Sequence, residues 1–368
     1  MKKIIVSLVI VSSPVWLFAQ KDIAKFFPAA AVTTGGASNV QQLVGGYISP
    51  IAEDFGSLGN GGWYTTAATH KRFGFDLNVT MNAISAKSDS KYFNPGSMNL
   101  QGIQYDGSTS GSAQSPSVYG PESEFPRFHY TGTPGPGSNA PLVFIGPSGA
   151  NVSKDVPIGS VVVPTLQGGL GLFANTDLRF RYTPAVKIGG TQLNNWGVGI
   201  MHDIKQHIPG IKMLPFSLSL LLAYTQLTAK TDLSGYYTGS GQEGVGDTKA
   251  YTAQILISKS LAIVTFYGGV GYNKSTTSYA VNGTYNVNFA VITPAIPATP
   301  ITPAIPEITA PLIAPVTLSQ PFKQDFSSNG VRFTGGVRFK LGPIILNGDY
   351  TFVNNKGLYS MGFGVTVR

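Results

Sequence analysis

Residues 330–368 read GVRFTGGVRFKLGPIILNGDYTFVNNKGLYSMGFGVTVR. From Val331 to Leu341 the odd positions are Val331, Phe333, Gly335, Val337, Phe339 and Leu341, and the even ones include Arg332, Thr334, Arg338 and Lys340. The pattern resumes after Gly342-Pro343, with Ile344, Leu346, Tyr350 and Phe352 opposite Asn347, Asp349 and Thr351. It resumes again after Asn354-Asn355, with Tyr359, Met361, Phe363, Val365 and Val367 opposite Ser360, Gly362, Gly364 and Thr366. Successive side chains of a strand point to opposite faces, so the period of two predicts three strands with one apolar face each. The tight turns make them antiparallel neighbours. Each run is about ten residues, the length a tilted strand needs to cross a bilayer. A soluble sandwich also alternates, so the rest of the chain has to decide.

Charged residues are 11% of the 368, against roughly 25% in an average soluble domain. Glycine is abundant (45 residues), and no run beyond the N-terminus reaches the apolar length of a membrane helix. Low charge without spanning helices suits a transmembrane β-barrel. Residues 1–19 have the form of a cleaved signal peptide: Lys2 and Lys3, an apolar stretch from Ile4 to Phe18, then Ala19 before Gln20. There is no cysteine, which excludes disulfides and thiolate metal sites. The formal charge of +8 comes without a clustered basic run, so nucleic acid is not an expected partner.

Residues 20–60 are expected to form an N-terminal helical segment or plug. Val40, Leu43, Val44, Tyr47, Ile48 and Ile51 share a helical face behind Ser38-Asn39, with Gly45-Gly46 and Pro50 working against it. The barrel is expected over 61–368, beginning with Phe75, Leu77, Val79 and Met81. Six further apolar faces start near Val162, Leu178, Trp196, Phe216, Tyr251 and Val264 and join the three C-terminal ones. Residues 86–158 read as a long loop, with a hairpin pairing Phe128-His129-Tyr130 with Leu142-Val143-Phe144. The proline-rich 285–321 reads as an extended polyproline-like loop. About ten spanning strands result. Laid out in order, they put 86–158, 231–246 and 285–321 at one end, and the N-terminus with the short turns at the other. Short turns face the periplasm and long loops the outside in bacterial barrels.

Several segments resemble a family of Bacteroidota outer-membrane proteins of unassigned function. They are Gly62-Trp63-Tyr64-Thr65 with His70-Lys71, Gly169-Leu170-Gly171-Leu172 with Thr176-Asp177-Leu178-Arg179, and His202-Asp203-Ile204-Lys205-Gln206 with Ile208-Pro209-Gly210. The layout is also distantly similar to FadL-type transporters of long-chain fatty acids. That resemblance implies an N-terminal hatch and up to 14 strands, so the expected fold is an all-β transmembrane antiparallel barrel of 10–14 strands.

The four histidines, His70, His129, His202 and His207, stand in no metal-ligand spacing, and no nucleophile or phosphate-loop motif is complete. A lipase-like use of His202-Asp203 is far less expected than a structural pair, so neither an enzyme nor a cofactor is expected. Arg179, Arg181, Arg332, Arg338 and Lys340 fall on the face opposite the apolar one and make a basic lumen lining. Most of them are expected near the short-turn end, either as a solvated, paired lining or as a ring attracting anions. The expected function is a channel or transporter for a small hydrophobic or anionic solute, set in outer-membrane lipid. The alternative is an interaction barrel whose long outer loops bind a protein, glycan or secretion partner.

Overall fold

A computed structural model describes residues 22–30, 35–85, 89–134, 141–151, 161–188, 191–293 and 308–367. The leader expected at 1–19 lies outside the described residues. Ten strands close into one antiparallel barrel. They are β1 (Phe75–Ile84), β2 (Val161–Gly171), β3 (Thr176–Ile188), β4 (Thr191–Asp203), β5 (Ser217–Asp232), β6 (Glu243–Leu261), β7 (Val264–Asn282), β8 (Phe322–Leu341), β9 (Ile344–Val353) and β10 (Lys356–Val367). Each pairs with its neighbours in the chain, and β1 closes the ring against β10, with Phe75 opposite Val367. Closure leaves no free edge inside the membrane, where unpaired backbone groups would be costly.

The alternation read from the sequence becomes the wall itself. On β4 every second residue from Gln192 to Ile200 is exposed and every residue between is buried. Outward side chains include Leu77, Phe180, Ile200, Leu222, Ile255, Phe333, Leu346 and Phe363. They form an apolar band facing hydrocarbon. Its upper rim is aromatic: Trp196 meets Tyr224 at 5.4 Å between ring centroids, Tyr224 meets Tyr251 at 4.9 Å, and Tyr350 meets Tyr359 at 5.2 Å. At the opposite rim Arg72 lies over Phe73 and Phe173, and Lys205 over Phe216. Aromatic girdles of this kind mark the two interfaces of a transmembrane barrel. Among the described residues no helix is long and apolar enough to cross a membrane.

Strand lengths differ around the ring. β1 and β9 have 10 residues, whereas β6 and β7 have 19 and β8 has 20. A spanning strand needs about ten, so β6 to β8 continue well beyond the aromatic rim. The glycine-rich 231–246 is therefore partly strand, not loop throughout. Outside the membrane the outward positions turn polar (Lys249, Asp247), and the apolar alternation that marks a strand is lost.

The long loops have order of their own. Residues 103–108, 126–134 and 141–145 form a three-stranded sheet in which Phe128 pairs with Phe144, the register expected from sequence. The proline-rich segment departs from expectation: Thr284–Thr293 pairs with Ile308–Ser319 as an antiparallel ribbon. Pro311 and Pro315 are tolerated because each strand of a two-stranded ribbon has a free edge, where a missing N–H removes no ladder bond.

The N-terminal segment is helical, as expected, but it enters from the opposite end of the barrel. Residues 22–30 form a 3-10 helix whose Phe26 and Phe27 pack against Phe93, Phe128, Tyr237 and Tyr285, at the long-loop end. Helix α1 (Gly36–Gly59) then descends inside the barrel, and 60–74 continues to the short-turn end, where β1 begins. At 1.5 Å per residue, its 24 residues cover about 36 Å. From Asp22 at the long-loop end, the described chain reaches β1 only after threading the lumen. The even number of strands does not require the N-terminus to lie with the short turns.

Candidate functional site

The lumen is the candidate site, and the chain's own N-terminal segment fills it. Along α1, Ala52, Gly56 and Gly59 make a stripe of minimal side chains at helical spacing. That stripe lies against β6 and β7. Thr277 Oγ1 donates to the Ala52 carbonyl at 2.7 Å, a Cβ on Gly56 would sit 2.0 Å from Ser275 Oγ, and one on Gly59 would sit 3.1 Å from the Ala250 Cβ. Small residues let the helix backbone approach the wall, so the glycines that weaken the helix by propensity are what seat it.

Helix α1 ends with carbonyls that have no partner within the helix and with the negative end of its dipole. The wall supplies cations there. Arg181 Nη1 donates to the Gly59 carbonyl at 3.0 Å, and its Nη2 to the Gly61 carbonyl at 2.9 Å and to Gln167 Oε1 at 3.0 Å. Arg332 Nη1 donates to the Asn60 carbonyl at 2.6 Å, with Nη2 on Thr351 Oγ1 at 3.1 Å. In the ten-stranded ring β3 and β8 lie five strands apart, so the two guanidiniums grip the helix end from opposite walls. The Arg181 guanidinium also lies 3.6 Å over the Trp63 ring, a cation–π contact strengthened by dehydration.

Below this clamp, Trp63 and Tyr64 are buried with Met201, Leu221, Leu256 and Tyr267. Tyr64 meets Tyr267 edge-on at 5.8 Å, and the Tyr267 hydroxyl donates to Asp349 at 3.0 Å. At the short-turn end, Asp177 accepts from the His70 backbone N–H at 2.8 Å and contacts its ring Nδ1 at 2.8 Å. Arg179 pairs with Asp177 at 3.3 Å, lies 4.0 Å from Asp76, and donates to the Trp63 carbonyl at 3.4 Å. His70, Asp76, Asp177 and Arg179 are all at most 5% exposed. A histidine between carboxylates has the ingredients of acid–base chemistry, and here all of these groups are buried.

In its penultimate turn, α1 carries a single buried carboxylate. Asp54 takes the Lys356 ammonium at 2.5 Å and the Tyr119 hydroxyl at 2.7 Å, with Glu53 at 3.9 Å from the same ammonium. Burial raises the Asp54 carboxyl above its ordinary range, and Lys356 and Tyr119 pull it part of the way back. Burial also pushes the Tyr119 hydroxyl well up.

The five basic residues expected in the lumen are placed as follows. Arg179, Arg181, Arg332 and Arg338 are buried inside the barrel, and Lys340 is half-buried near the short-turn end of β8. Arg179 and Arg181 stand on β3, and Arg338 and Lys340 on β8, five strands away on the opposite wall. Arg181 and Arg332 are buried, and each donates both to a main-chain carbonyl of the plug and to a polar side chain of the wall, Gln167 and Thr351 respectively. Alternation could place these side chains on the inner face, but it could not say that a helix terminus would meet them. Asp54, Lys356, Tyr119 and His70 were missed. The one legible signal was an acidic pair, Glu53-Asp54, in an otherwise uncharged helix.

His202 and His207 lie outside the lumen, at the short-turn end. Their Nε2 atoms are 2.9 Å apart, His202 Nδ1 is 2.8 Å from Thr176 Oγ1, and Asp203 accepts from the Lys205 N–H. Among the described residues no group of three or more acidic, histidine or cysteine side chains could hold a metal ion.

Solved structures with a similar overall course are outer-membrane proteins of low identity. The translocator domain of the autotransporter NalP from Neisseria meningitidis is 10% identical, with 92% of this chain and 99% of that one covered and a TM-score of 0.30. The attachment invasion locus protein Ail of Yersinia pestis is 10% identical over 52% of this chain and 91% of that one, at a TM-score of 0.25. The outer-membrane protease OmpT from Escherichia coli is 7% identical over 80% and 93%, at 0.24. No curated protein matches the chain in sequence. One family model, described as a family of unknown function (DUF6588), matches residues 1–367, and the chain therefore belongs to the DUF6588 family.

Proposed function

We propose that the protein is a gated passage of the Gram-negative outer membrane, in which α1 is the gate and an anionic or amphiphilic small solute is the cargo. One observation carries the reading: Arg181 and Arg332 hold the end of the plug through main-chain carbonyls. A carboxylate is a better partner for a guanidinium than a neutral carbonyl, and can take two parallel hydrogen bonds from it. A solute bearing one competes directly for the clamp and loosens the helix end. The leader expected at 1–19 and the sorting of long loops to one end support export and an outward-facing long-loop end.

The test uses the absence of native cysteine. In Gly59→Cys with Ala250→Cys, the two Cβ positions are 3.1 Å apart, close to the spacing a disulfide needs. The oxidised protein should block solute efflux from proteoliposomes, and reduction should restore it. Equal flux in both states, or none in either, would sink the gate.

An interaction barrel is favoured by a different feature. The outer half of β8, Phe322–Val331, pairs with β7 but lies beyond the reach of β9, whose pairing begins at Arg332. An open strand edge in water can accept an added strand. Proline substitutions at Asp325 and Ser327 that abolish binding of a surface partner, while leaving flux intact, would support this reading.

A further inference from the structure

The outward face of β3 to β7 has a defect in its regular packing. One cross-strand row runs Leu178, Ile200, Leu222, Ala253, Tyr272, each opposite the next. Four of the five are large, and Ala253 is a single methyl group. The gap over Ala253 lies in a shallow, open trough of about 570 Å³ on the lipid-facing wall, lined almost wholly by apolar atoms. The next row towards the long-loop end runs Val198, Tyr224, Tyr251, Lys274, at the level of the aromatic rim. Lys274 lies at the mouth of the trough and is exposed. One row further out is Lys249, opposite Thr276 and diagonal to Lys274, also exposed. Diagonal neighbours on one face are within about 8 Å of each other, close enough for both ammonium groups to meet one phosphate. Among the described residues neither lysine is in an ion pair. The nearest carboxylate on this face, Asp247, is held by Gln226 through two contacts of 3.0 Å.

We infer that this trough is a specific site for one anionic, phosphate-bearing membrane lipid, with an acyl chain in the gap over Ala253 and the headgroup phosphate on Lys274 and Lys249. The occupant follows from position and charge. The trough lies within the apolar band, so whatever fills it is hydrocarbon. Its mouth lies at the interface, where lysines beside tyrosines meet headgroups. A second copy of the barrel is a poor fit, since one convex wall cannot enter a shallow trough on another convex wall. Two such faces opposed would also bring their lysines together. The site does not depend on whether the lumen opens.

The experiment places purified barrel in nanodiscs of phosphatidylcholine doped with phosphatidylglycerol and counts retained lipid by native mass spectrometry. One retained phosphatidylglycerol per barrel is expected. Ala253→Phe, which fills the trough with an apolar side chain on the lipid face, should abolish retention while the heat-modifiable gel mobility stays that of the folded barrel. Lys249→Gln with Lys274→Gln should remove the preference for the anionic lipid, by about fivefold for each lysine. A parallel arm with lipid A distinguishes a phosphorylated glycolipid from a phospholipid source; tighter retention of either is consistent with the shared phosphate chemistry. Retention unchanged by Ala253→Phe, retention indifferent to headgroup charge, or a dimer mass in place of a lipid adduct would each overturn the site.

Discussion

Lys356 and Asp54 meet at 2.5 Å inside the barrel although 302 residues separate them in the chain. The contact joins the first residue of β10 to the penultimate turn of the plug helix, so it reports directly on whether the plug is seated. Breaking a buried pair by removing one partner costs about 3–5 kcal/mol, because the remaining charge is left without compensation. Lys356→Met should therefore unseat α1. The check is protease sensitivity of residues 36–59 in the folded barrel, which should rise steeply compared with a surface control such as Lys212→Met.

Plug seating should also depend on pH through Asp54. Its carboxyl is raised when seated, so the seated state binds the proton more tightly than the released state. The resulting stabilisation is complete below the ordinary carboxylate value and is lost as pH rises through the raised one. The protection factors of α1 amides, which take out the intrinsic rise of exchange with pH, should fall as pH rises above the ordinary carboxylate range, and Asp54→Asn should flatten that dependence. A slope of opposite sign would show that Lys356, not burial, dominates the site.

The stripe on α1 makes a steric prediction. Gly56→Leu cannot fit with Ser275 Oγ only 2.0 Å from its Cβ, and overpacking of this kind costs about 1–3 kcal/mol. The barrel should still form, since β6 and β7 keep their pairing, but the plug should be displaced. Conductance in planar bilayers is expected to rise above that of the wild type.

Outward and inward substitutions should both be costly, for different reasons. Phe333→Arg puts a charge into hydrocarbon, at about 2–4 kcal/mol near the midplane. A water-filled lumen would make Thr334→Arg mild, but Thr334 is buried, shares a 2.7 Å contact with Thr351 and lies beside Arg332. A second cation there has neither room nor water. Urea unfolding in lipid vesicles should show both variants destabilised, with Thr334→Val tolerated much better than either.

Orientation can be read with single cysteines. Ala113 is exposed among the long loops, and Met213 is 92% exposed at the opposite end. Ala113→Cys should react with an impermeant maleimide in whole cells, and Met213→Cys only after the outer membrane is opened. The reverse pattern would invert the topology.

The wall was legible because its information is local. A period of two, strand by strand, sufficed to place Phe333 outside and Arg332 inside, and to count ten strands. It stopped being legible where strands leave the membrane, because Lys249 and Asp247 no longer contrast with their inward neighbours. The plug belongs to a different order of information. Helical spacing from Val40 to Ile51 marked α1, but its direction through the barrel rests on pairings across the whole chain: Phe27 with Tyr285, Asp54 with Lys356, Asn60 with Arg332, His70 with Asp177. Each partner is an ordinary polar or aromatic residue with no local pattern to announce it. A basic residue on an inner face has many possible partners in a wet lumen. Only when the helix terminus occupies that space, with its carbonyls unpaired and water excluded, does one of them become compulsory.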